Sequence, residues 1–324
     1  MSKPKVLLTR KWPEEAEAKA QELFDVTLNE DDHKMSVAEL QEAMKNYDAV
    51  CPTVSDFKIN SEILDVEGRR CKVLCNFGVG FNNIDTDAAK AVGVVVTNTP
   101  GVLTDCTADI AMTLLLMVAR RAGEGDRLIR NKKWDGWRPT HFIATKPTGK
   151  KLGFIGFGRI AQAVAHKAHF GFGMEISFYD PYPPADEVIK KFSATRFDTV
   201  EEVLKDADFI TLHCPGGGSN TNLMNAERLG MMKNSAFLIN TARGDVVDEP
   251  ALAKALKEGV IAGAGLDVFA NEPEVTEELL SMDNVVMLPH LGSATKETRV
   301  AMGMLSLENA KAFFDGDEPP NRVA

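Results

Sequence analysis

The sequence predicts an α/β protein with parallel, doubly wound sheets, and three observations carry that reading. Short apolar runs alternate with amphipathic segments along nearly all of the 324 residues, the pattern of strands joined by crossover helices. A glycine turn, Gly156-Phe157-Gly158-Arg159-Ile160-Ala161, lies between an apolar run at 152–155 and an Ala-rich helix start. Each acid, base and electrophile candidate falls at or just past the end of a predicted strand, the rim where such sheets bind ligands.

The elements follow in order. Strands are expected at 5–9, 24–28, 47–53, 71–76 and 94–97, with helical spacing at 14–24, 36–46, 60–64 and 87–92. The second helix has a start signal, because Ser36 precedes the apolar positions Val37, Leu40 and Met44 and Glu39 follows three residues later. This half is already an α/β unit of about one hundred residues. Asn98-Thr99-Pro100-Gly101 is a turn and a plausible domain boundary. The helix expected at 104–121 is almost wholly apolar over 110–119, so it is buried within a domain or between subunits. Trp134 and Trp137 follow in a polar segment, either packing a loop down or anchoring an interface or pocket. Strands are then expected at 152–155, 176–179, 209–212, 236–240, 263–267 and 285–287, separated by helices at 160–169, 199–204, 225–230 and 249–258. A last helix at 295–314 leads to a polar tail, and the pattern leaves open whether it packs back on the first unit.

Composition narrows the function classes. A formal charge of −10 disfavours non-specific binding to nucleic acid or anionic membrane. No run of eighteen uncharged apolar residues suggests a membrane span, and the N-terminus lacks a signal-peptide profile. The five cysteines, at 51, 71, 75, 106 and 214, lack the spacing of a zinc site and read as buried free thiols, which fits a reducing cytoplasm. His33 lies in an acidic loop, and His166 and His169, three residues apart on the helix after the glycine turn, lack carboxylate or thiolate partners in a metal-ligand pattern, so no metal is expected.

The glycine turn has a physical reading of its own. Gly156 permits a sharp turn, Gly158 removes a Cβ where a pyrophosphate must approach the backbone, and the following helix offers its unpaired N–H groups and dipole to phosphate. The third position is Ala161, small enough for close helix–strand packing. Asp180 follows the next strand, about twenty residues on, where a ribose 2′-OH would sit. A carboxylate there accepts from both ribose hydroxyls and repels a 2′-phosphate. No basic residue follows it immediately, although Arg196 could fold nearby, so NAD is expected over NADP.

Arg243 and His290 each follow an apolar strand. Arg243 either grips a carboxylate with two parallel hydrogen bonds or is a surface arginine near a turn. His290 is a natural proton donor near neutral pH, and Glu272 would favour its imidazolium if the two met; otherwise Glu272 is a solvated glutamate. Asp267 either accepts from a nicotinamide amide or caps a turn. His213-Cys214-Pro215 is a poor nucleophile pair, since adjacent residues at a strand end point apart, and lining a cofactor suits it better. Gly216-Gly217-Gly218 is a mobile or a closely approached loop.

From Asn76-Phe77-Gly78-Val79-Gly80-Phe81-Asn82-Asn83-Ile84-Asp85 to Pro319-Pro320-Asn321, the chain resembles the D-isomer-specific 2-hydroxyacid dehydrogenases. Within them it is most similar to the glycerate dehydrogenase, hydroxypyruvate reductase and glyoxylate reductase group, through Arg120-Arg121-Ala122-Gly123-Glu124-Gly125, the segment 134–139 and the tail from Ala312-Phe313-Phe314-Asp315-Gly316. The resemblance implies that Arg243 binds the carboxylate of a 2-oxo acid and polarises its carbonyl. It implies that His290 is the acid in reduction and the base in oxidation, with Glu272 as its partner. Hydride then passes from nicotinamide C4 to substrate C2 and gives a D-hydroxy acid. It implies that backbone groups of Val79 and Gly80 hold the carboxylate, that Trp137 approaches the active site of a neighbouring subunit, and that the substrate lies between two domains. It implies a cofactor site lined by Gly156, Gly158, Arg159, Ile160, Asp180, Cys214, Pro215, Thr221, Thr241, Ala242, Arg243, Asp267, His290 and Gly292. It further implies a Rossmann nucleotide domain at 101–293 inserted into a flavodoxin-like substrate domain made of 1–100 and 294–324, and a homodimer built on the helix near 104–121. Phosphoglycerate dehydrogenase, another D-2-hydroxyacid specificity and an NAD-sensing corepressor or scaffold are the alternatives. Ala161, the loop 216–218 and the segment 143–147 depart from the family pattern without touching Arg243, Glu272 or His290.

Overall fold

The apolar runs of the first hundred residues become β1 (Lys5–Leu8), β2 (Asp25–Thr27), β3 (Ala49–Cys51), β4 (Val73–Cys75) and β5 (Val95–Thr97) of a computed structural model that describes residues 3–324. β3 and β4 are buried at every position, as expected for strands covered on both faces. All pairings are parallel, in the order β2-β1-β3-β4-β5, which is flavodoxin-like. The crossovers are α1 (Glu14–Leu23), α2 (Val37–Asn46), α3 (Ser61–Leu64) and α4 (Thr86–Ala91). The start signal at Ser36 forms a complete capping box with Glu39, and α2 buries Leu40, Ala43 and Met44.

The chain then builds a second sheet. α5 (Thr104–Ala119) and α6 (Ala122–Arg130) precede β6 (Lys151–Ile155), α7 (Arg159–His166), β7 (Glu175–Tyr179), α8 (Asp186–Lys191), β8 (Thr195–Arg196) and α9 (Val200–Asp206). β9 (Phe209–Leu212), α10 (Ala226–Leu229), β10 (Phe237–Asn240), α11 (Glu249–Lys257), β11 (Gly263–Leu266), α12 (Glu277–Leu280) and β12 (Val285–Met287) complete it. The seven strands are all parallel, in the order β8-β7-β6-β9-β10-β11-β12. The direction of winding reverses between β6 and β9, so the crevice at their C-terminal ends is the ligand position of a doubly wound sheet. One core layer gathers α9, α10 and α11 against the sheet; the other gathers α5 and α7 around Phe154, Phe157 and Phe178, with Phe157 stacked at 4.4 Å on Phe178.

The last helix, α13 (Lys296–Asp315), packs against the first sheet. Ser306 Oγ donates to Cys75 O at 2.9 Å, and Asn309 Nδ2 donates to Asn98 O at 3.0 Å. The tail runs antiparallel along β5, with Val323 N–H bonded to Val96 O at 2.8 Å and Val96 N–H to Ala324 O at 3.0 Å. It thereby covers an edge that would otherwise expose unpaired backbone groups. The chain thus divides into unit 1, Met1–Leu103 with Ser293–Ala324, and unit 2, Thr104–Gly292.

Several elements differ from the sequence reading. α6 and α8 bury no residue and β8 is two exposed residues, so the apolar period that would announce them is missing. α12 is a further unpredicted turn of helix. The helix expected at 160–169 stays α-helical only to His166, and Lys167–Gly171 continues as a π-helical turn. The helix expected to 121 stops at Ala119, and Arg121 adopts φ +53° before α6. Among the described residues no helix is long and apolar enough to cross a membrane.

Candidate active site

In unit 2 the glycine turn follows β6. Gly156 has φ +87°, and a Cβ on it would lie 2.9 Å from His213 C and from Cys214 N, so the close approach of the turn to the end of β9 requires glycine. Gly158 is the N-cap of α7 with no side-chain cap, and a Cβ there would meet nothing within 4 Å. Uncapped N–H groups facing open space suit a pyrophosphate. Arg159 and Ile160 form the first turn of α7, exposed and half-buried respectively, and Ala161 is buried against the sheet. Asp180 directly follows β7, where its carboxylate accepts Phe157 N–H at 2.6 Å and Tyr182 N–H at 2.7 Å. Thr241, just past β10, keeps a buried hydroxyl without a protein partner. These features fit a dinucleotide: Gly158 leaves room for the phosphates, Asp180 supplies an anchored acceptor for ribose, and Thr241 has an unused donor.

Arg243 sits in the loop after β10, braced by a residue that the motif reading missed. Asn240 Oδ1 accepts Ala242 N–H at 3.0 Å, and Asn240 Nδ2 donates to Arg243 O at 2.9 Å. A Cβ on Gly244 would fall inside the Phe269 carbonyl and the Ala270 peptide, so this loop lies directly on the loop after β11. Burial pulls the Arg243 pKa down, while Glu272 and Asp245 pull it up; the net direction is down, and the group remains a cation.

The loop after β11 carries Glu272. Glu249, buried at the start of α11, accepts Ala270 N–H and the Thr276 hydroxyl, each at 2.6 Å, and so ties both sides of that loop to one helix. Glu272 Oε1 accepts Phe269 N–H at 3.0 Å, and Oε2 lies 2.8 Å from His290 Nδ1. Burial raises the Glu272 pKa, but the bond to His290, its charge, Phe269 N–H and Arg243 together hold the carboxyl below its ordinary value. Glu272 is thus paired with His290 while its side chain stays 37 % exposed to solvent.

His290 follows β12 with φ +53°. Its N–H donates to Asp267 O at 2.9 Å, while the Asp267 carboxylate accepts Leu291 N–H at 2.6 Å and Gly292 N–H at 2.8 Å. Asp267 therefore caps this turn and holds the sparsely populated backbone conformation of His290 in place. Burial raises the Asp267 pKa despite those two donors. With Nδ1 on Glu272, His290 Nε2 is the nitrogen available for proton transfer.

The neighbouring residues line rather than react. His213 Nε2 bonds Thr211 Oγ1 at 2.9 Å, its ring stacks on Phe154 at 5.7 Å, and burial pushes its pKa down to about 3. Burial pushes the Cys214 thiol up to about 11. A neutral imidazole beside a protonated thiol is not a nucleophile pair. Pro215 O accepts Asn220 Nδ2 at 3.0 Å, and Thr221 is exposed just after that turn. Gly217 N–H donates to Asp245 Oδ2 at 2.7 Å, so the glycine loop is a held, closely approached one. Trp137 is 78 % exposed and Trp134 55 %, which removes the reading that they pack their own loop down. In unit 1, Asn98 Nδ2 donates to Val79 O at 2.8 Å, and Asn76 Nδ2 donates to Gly80 O at 3.0 Å.

The comparison with known proteins agrees with this geometry. Residues 112–292 match the family model of the D-isomer specific 2-hydroxyacid dehydrogenase NAD binding domain. The chain is 45 % identical to a glyoxylate reductase of Thermococcus onnurineus over 99 % of its own length and 96 % of that protein. The chain belongs to the D-isomer-specific 2-hydroxyacid dehydrogenases. A second relative in the family, a glycerate dehydrogenase of Hyphomicrobium methylovorum, is 38 % identical over 98 % of each chain. Among solved structures, the NADPH-dependent glyoxylate/hydroxypyruvate reductase of Sinorhizobium meliloti, in complex with NADP and malonate, superposes with a TM-score of 0.87 at 34 % identity, covering 100 % of this chain and 97 % of that one. As a D-2-hydroxyacid dehydrogenase, the protein is an NAD(P)-dependent enzyme that interconverts a small 2-oxo acid and its D-2-hydroxy acid.

Three supporting residues of this dehydrogenase escaped the sequence reading. Asn240 left a signal, a polar residue closing an apolar strand just before Arg243. Glu249 left none, since a first-turn glutamate ordinarily serves a helix dipole. Asp245, which holds the glycine loop, looked like any turn residue.

Proposed function

We propose that the protein reduces glyoxylate or hydroxypyruvate to glycolate or D-glycerate, with NADH as the preferred reductant. The observation that carries this is the 2.8 Å pairing of Glu272 with His290 Nδ1 at the rim that also holds Arg243. Arg243 binds the substrate carboxylate and polarises the adjacent carbonyl, and Val79 and Gly80 contribute backbone N–H groups to the same carboxylate. The bound nicotinamide dinucleotide supplies a hydride to the carbonyl carbon. His290, protonated, delivers a proton from Nε2 to the carbonyl oxygen, and Glu272 stabilises the imidazolium until it does. In oxidation the neutral Nε2 takes that proton back. Gly156, Gly158, Arg159, Ile160, Asp180, Cys214, Pro215, Thr221, Thr241, Ala242, Asp267 and Gly292 hold the dinucleotide.

Asp180 supports NADH over NADPH. Two backbone N–H groups fix its carboxylate beside the glycine turn, where a 2′-phosphate would meet a negative charge. Exposed Ile129, Trp134 and Trp137 in unit 2 support a homodimer, and in this reading Trp137 approaches the partner's active site. Five free cysteines support a reducing cytoplasm.

The test is a turnover assay of purified protein with hydroxypyruvate, glyoxylate, pyruvate and phosphohydroxypyruvate, each with NADH and with NADPH. The first two acids should be reduced fastest, and NADH should exceed NADPH in kcat/KM by roughly tenfold or more, the size of one unfavourable charge contact. Faster reduction of phosphohydroxypyruvate would favour the phosphoglycerate dehydrogenase alternative. Absence of turnover with every acid and both reductants would overturn the reading.

A further inference from the structure

β4 of unit 1 runs into Asn76-Phe77-Gly78-Val79-Gly80, and the carbonyls of its last three residues are all held. Gly78 O accepts Thr99 N–H at 3.0 Å and Asn76 Nδ2 at 3.2 Å. Val79 O accepts Asn98 Nδ2 at 2.8 Å, and Gly80 O accepts Asn76 Nδ2 at 3.0 Å. Among the described residues no acceptor takes the N–H of Val79 or of Gly80. The two halves of this pattern are linked by peptide planarity. In a trans peptide the C=O of one residue and the N–H of the next point in opposite directions. Fixing Gly78 O therefore aims the Val79 N–H, and fixing Val79 O aims the Gly80 N–H. The second of these depends on the side chain of Asn98.

Asn98 is itself immobilised. Its N–H donates to Asn321 O at 3.1 Å, and its carbonyl accepts Asn309 Nδ2 at 3.0 Å. Asn309 Oδ1 in turn accepts Asn321 N–H at 3.1 Å and Asn321 Nδ2 at 3.2 Å. Asn309 is fully buried and Asn98 is 8 % exposed. With its main chain clamped by α13 and the tail, Asn98 has its side-chain amide left for Val79. Because Val79 O can only accept, the nitrogen of that amide must face it.

We infer that Asn98 is a positioning residue: its amide locks the Val79–Gly80 peptide so that the Gly80 N–H is presented to the carboxylate of the 2-oxo acid. This rests on the assignment of Val79 and Gly80 to the substrate carboxylate made under the proposed function. A side chain on the opposite side of the peptide from the substrate thereby controls affinity for the acid without touching it. Asn76 and Thr99 hold the preceding peptide in the same way.

Two full-chain variants test it, Asn98→Asp, nearly isosteric but with a carboxylate against Val79 O, and Asn98→Ala. Both keep the backbone bonds to Asn309 and Asn321. The KM for glyoxylate or hydroxypyruvate should rise roughly ten- to a hundredfold, as for a lost hydrogen bond to a charged group, while the KM for NADH stays within about twofold. The sharper readout is pH. A protonated aspartic acid can donate to Val79 O, so the ratio of the Asn98→Asp KM to the wild-type KM should fall as pH is lowered. The corresponding ratio for Asn98→Ala should stay flat. Wild-type KM values in both variants, a pH-independent ratio for Asn98→Asp, an equal rise in the KM for NADH, or loss of folding in both would each overturn the inference. Wild-type protein inactive on every 2-oxo acid would bring down the proposed function and the inference together, whereas an active wild type with unaffected variants would bring down only the inference.

Discussion

Glu272 decides which nitrogen of His290 is free. With Nδ1 bonded to the carboxylate, Nε2 is the acid for reduction. Glu272→Gln keeps an acceptor but removes the charge, so kcat for reduction should fall by roughly tenfold, the loss of one charge-assisted hydrogen bond, while the KM for NADH stays within about twofold. Steady-state kinetics of the variant decide this, and an unchanged kcat would show that Glu272 serves only to hold the ring. The pH dependence follows from Glu272 itself. Its folded pKa lies below the ordinary carboxylate value, so its support is fully present above that value and fades as pH falls through the lowered one. Arg243 and His290 were legible in the sequence because each is a chemically distinctive residue at the end of an apolar strand. The meeting of Glu272 with His290 was legible only through the family resemblance, since it depends on how the loop after β11 is folded by Glu249, a contact between residues far apart in sequence.

At the scale of elements, the strands were legible because a buried parallel strand must be apolar on both faces, and β6, β9, β10 and β11 are short apolar runs bounded by polar residues or glycine. α6, α8 and β8 were not, since elements with no buried side chain leave no period to read. Gly153 shows what the pattern conceals. It lies within β6, and a Cβ there would stand 2.6 Å from Val203 Cγ1 and 2.8 Å from Ala207 Cβ, so the missing side chain sets the spacing between β6 and α9. Gly153→Ala should therefore cost about 1–3 kcal/mol through overpacking, read as a lower Tm by several degrees. An unchanged Tm would mean that α9 can move away without penalty. The displacement would reach the turn at Gly156, which continues directly from β6, so weaker NADH binding should accompany the lower Tm.

At the scale of the whole molecule, unit 2 carries both an apolar helix and an exposed tryptophan pair. α5 buries nine of its sixteen residues, yet Ile129 in α6 is 62 % exposed and Trp137 is 78 % exposed. Large apolar side chains concentrated in one segment mark an interaction surface. Light scattering coupled to size exclusion should give twice the chain mass, and the double substitution Ile129→Glu with Trp137→Ser should shift the equilibrium toward monomer. A monomeric wild type at micromolar concentration would remove the dimer from the proposal.

The antiparallel tail on β5 also has a consequence for synthesis. Unit 2 is one uninterrupted stretch, whereas unit 1 is begun first and finished last. While the ribosome is still making unit 2, Ala16 and Ala20 of α1 lack the cover of α13, and Val96 has neither of its partners from the tail. A nascent chain therefore carries an open strand edge and an uncovered apolar helix face for as long as nearly two hundred residues take to emerge, about ten to forty seconds at ordinary elongation rates. The order in which the units can be completed is therefore the reverse of the order in which they are begun.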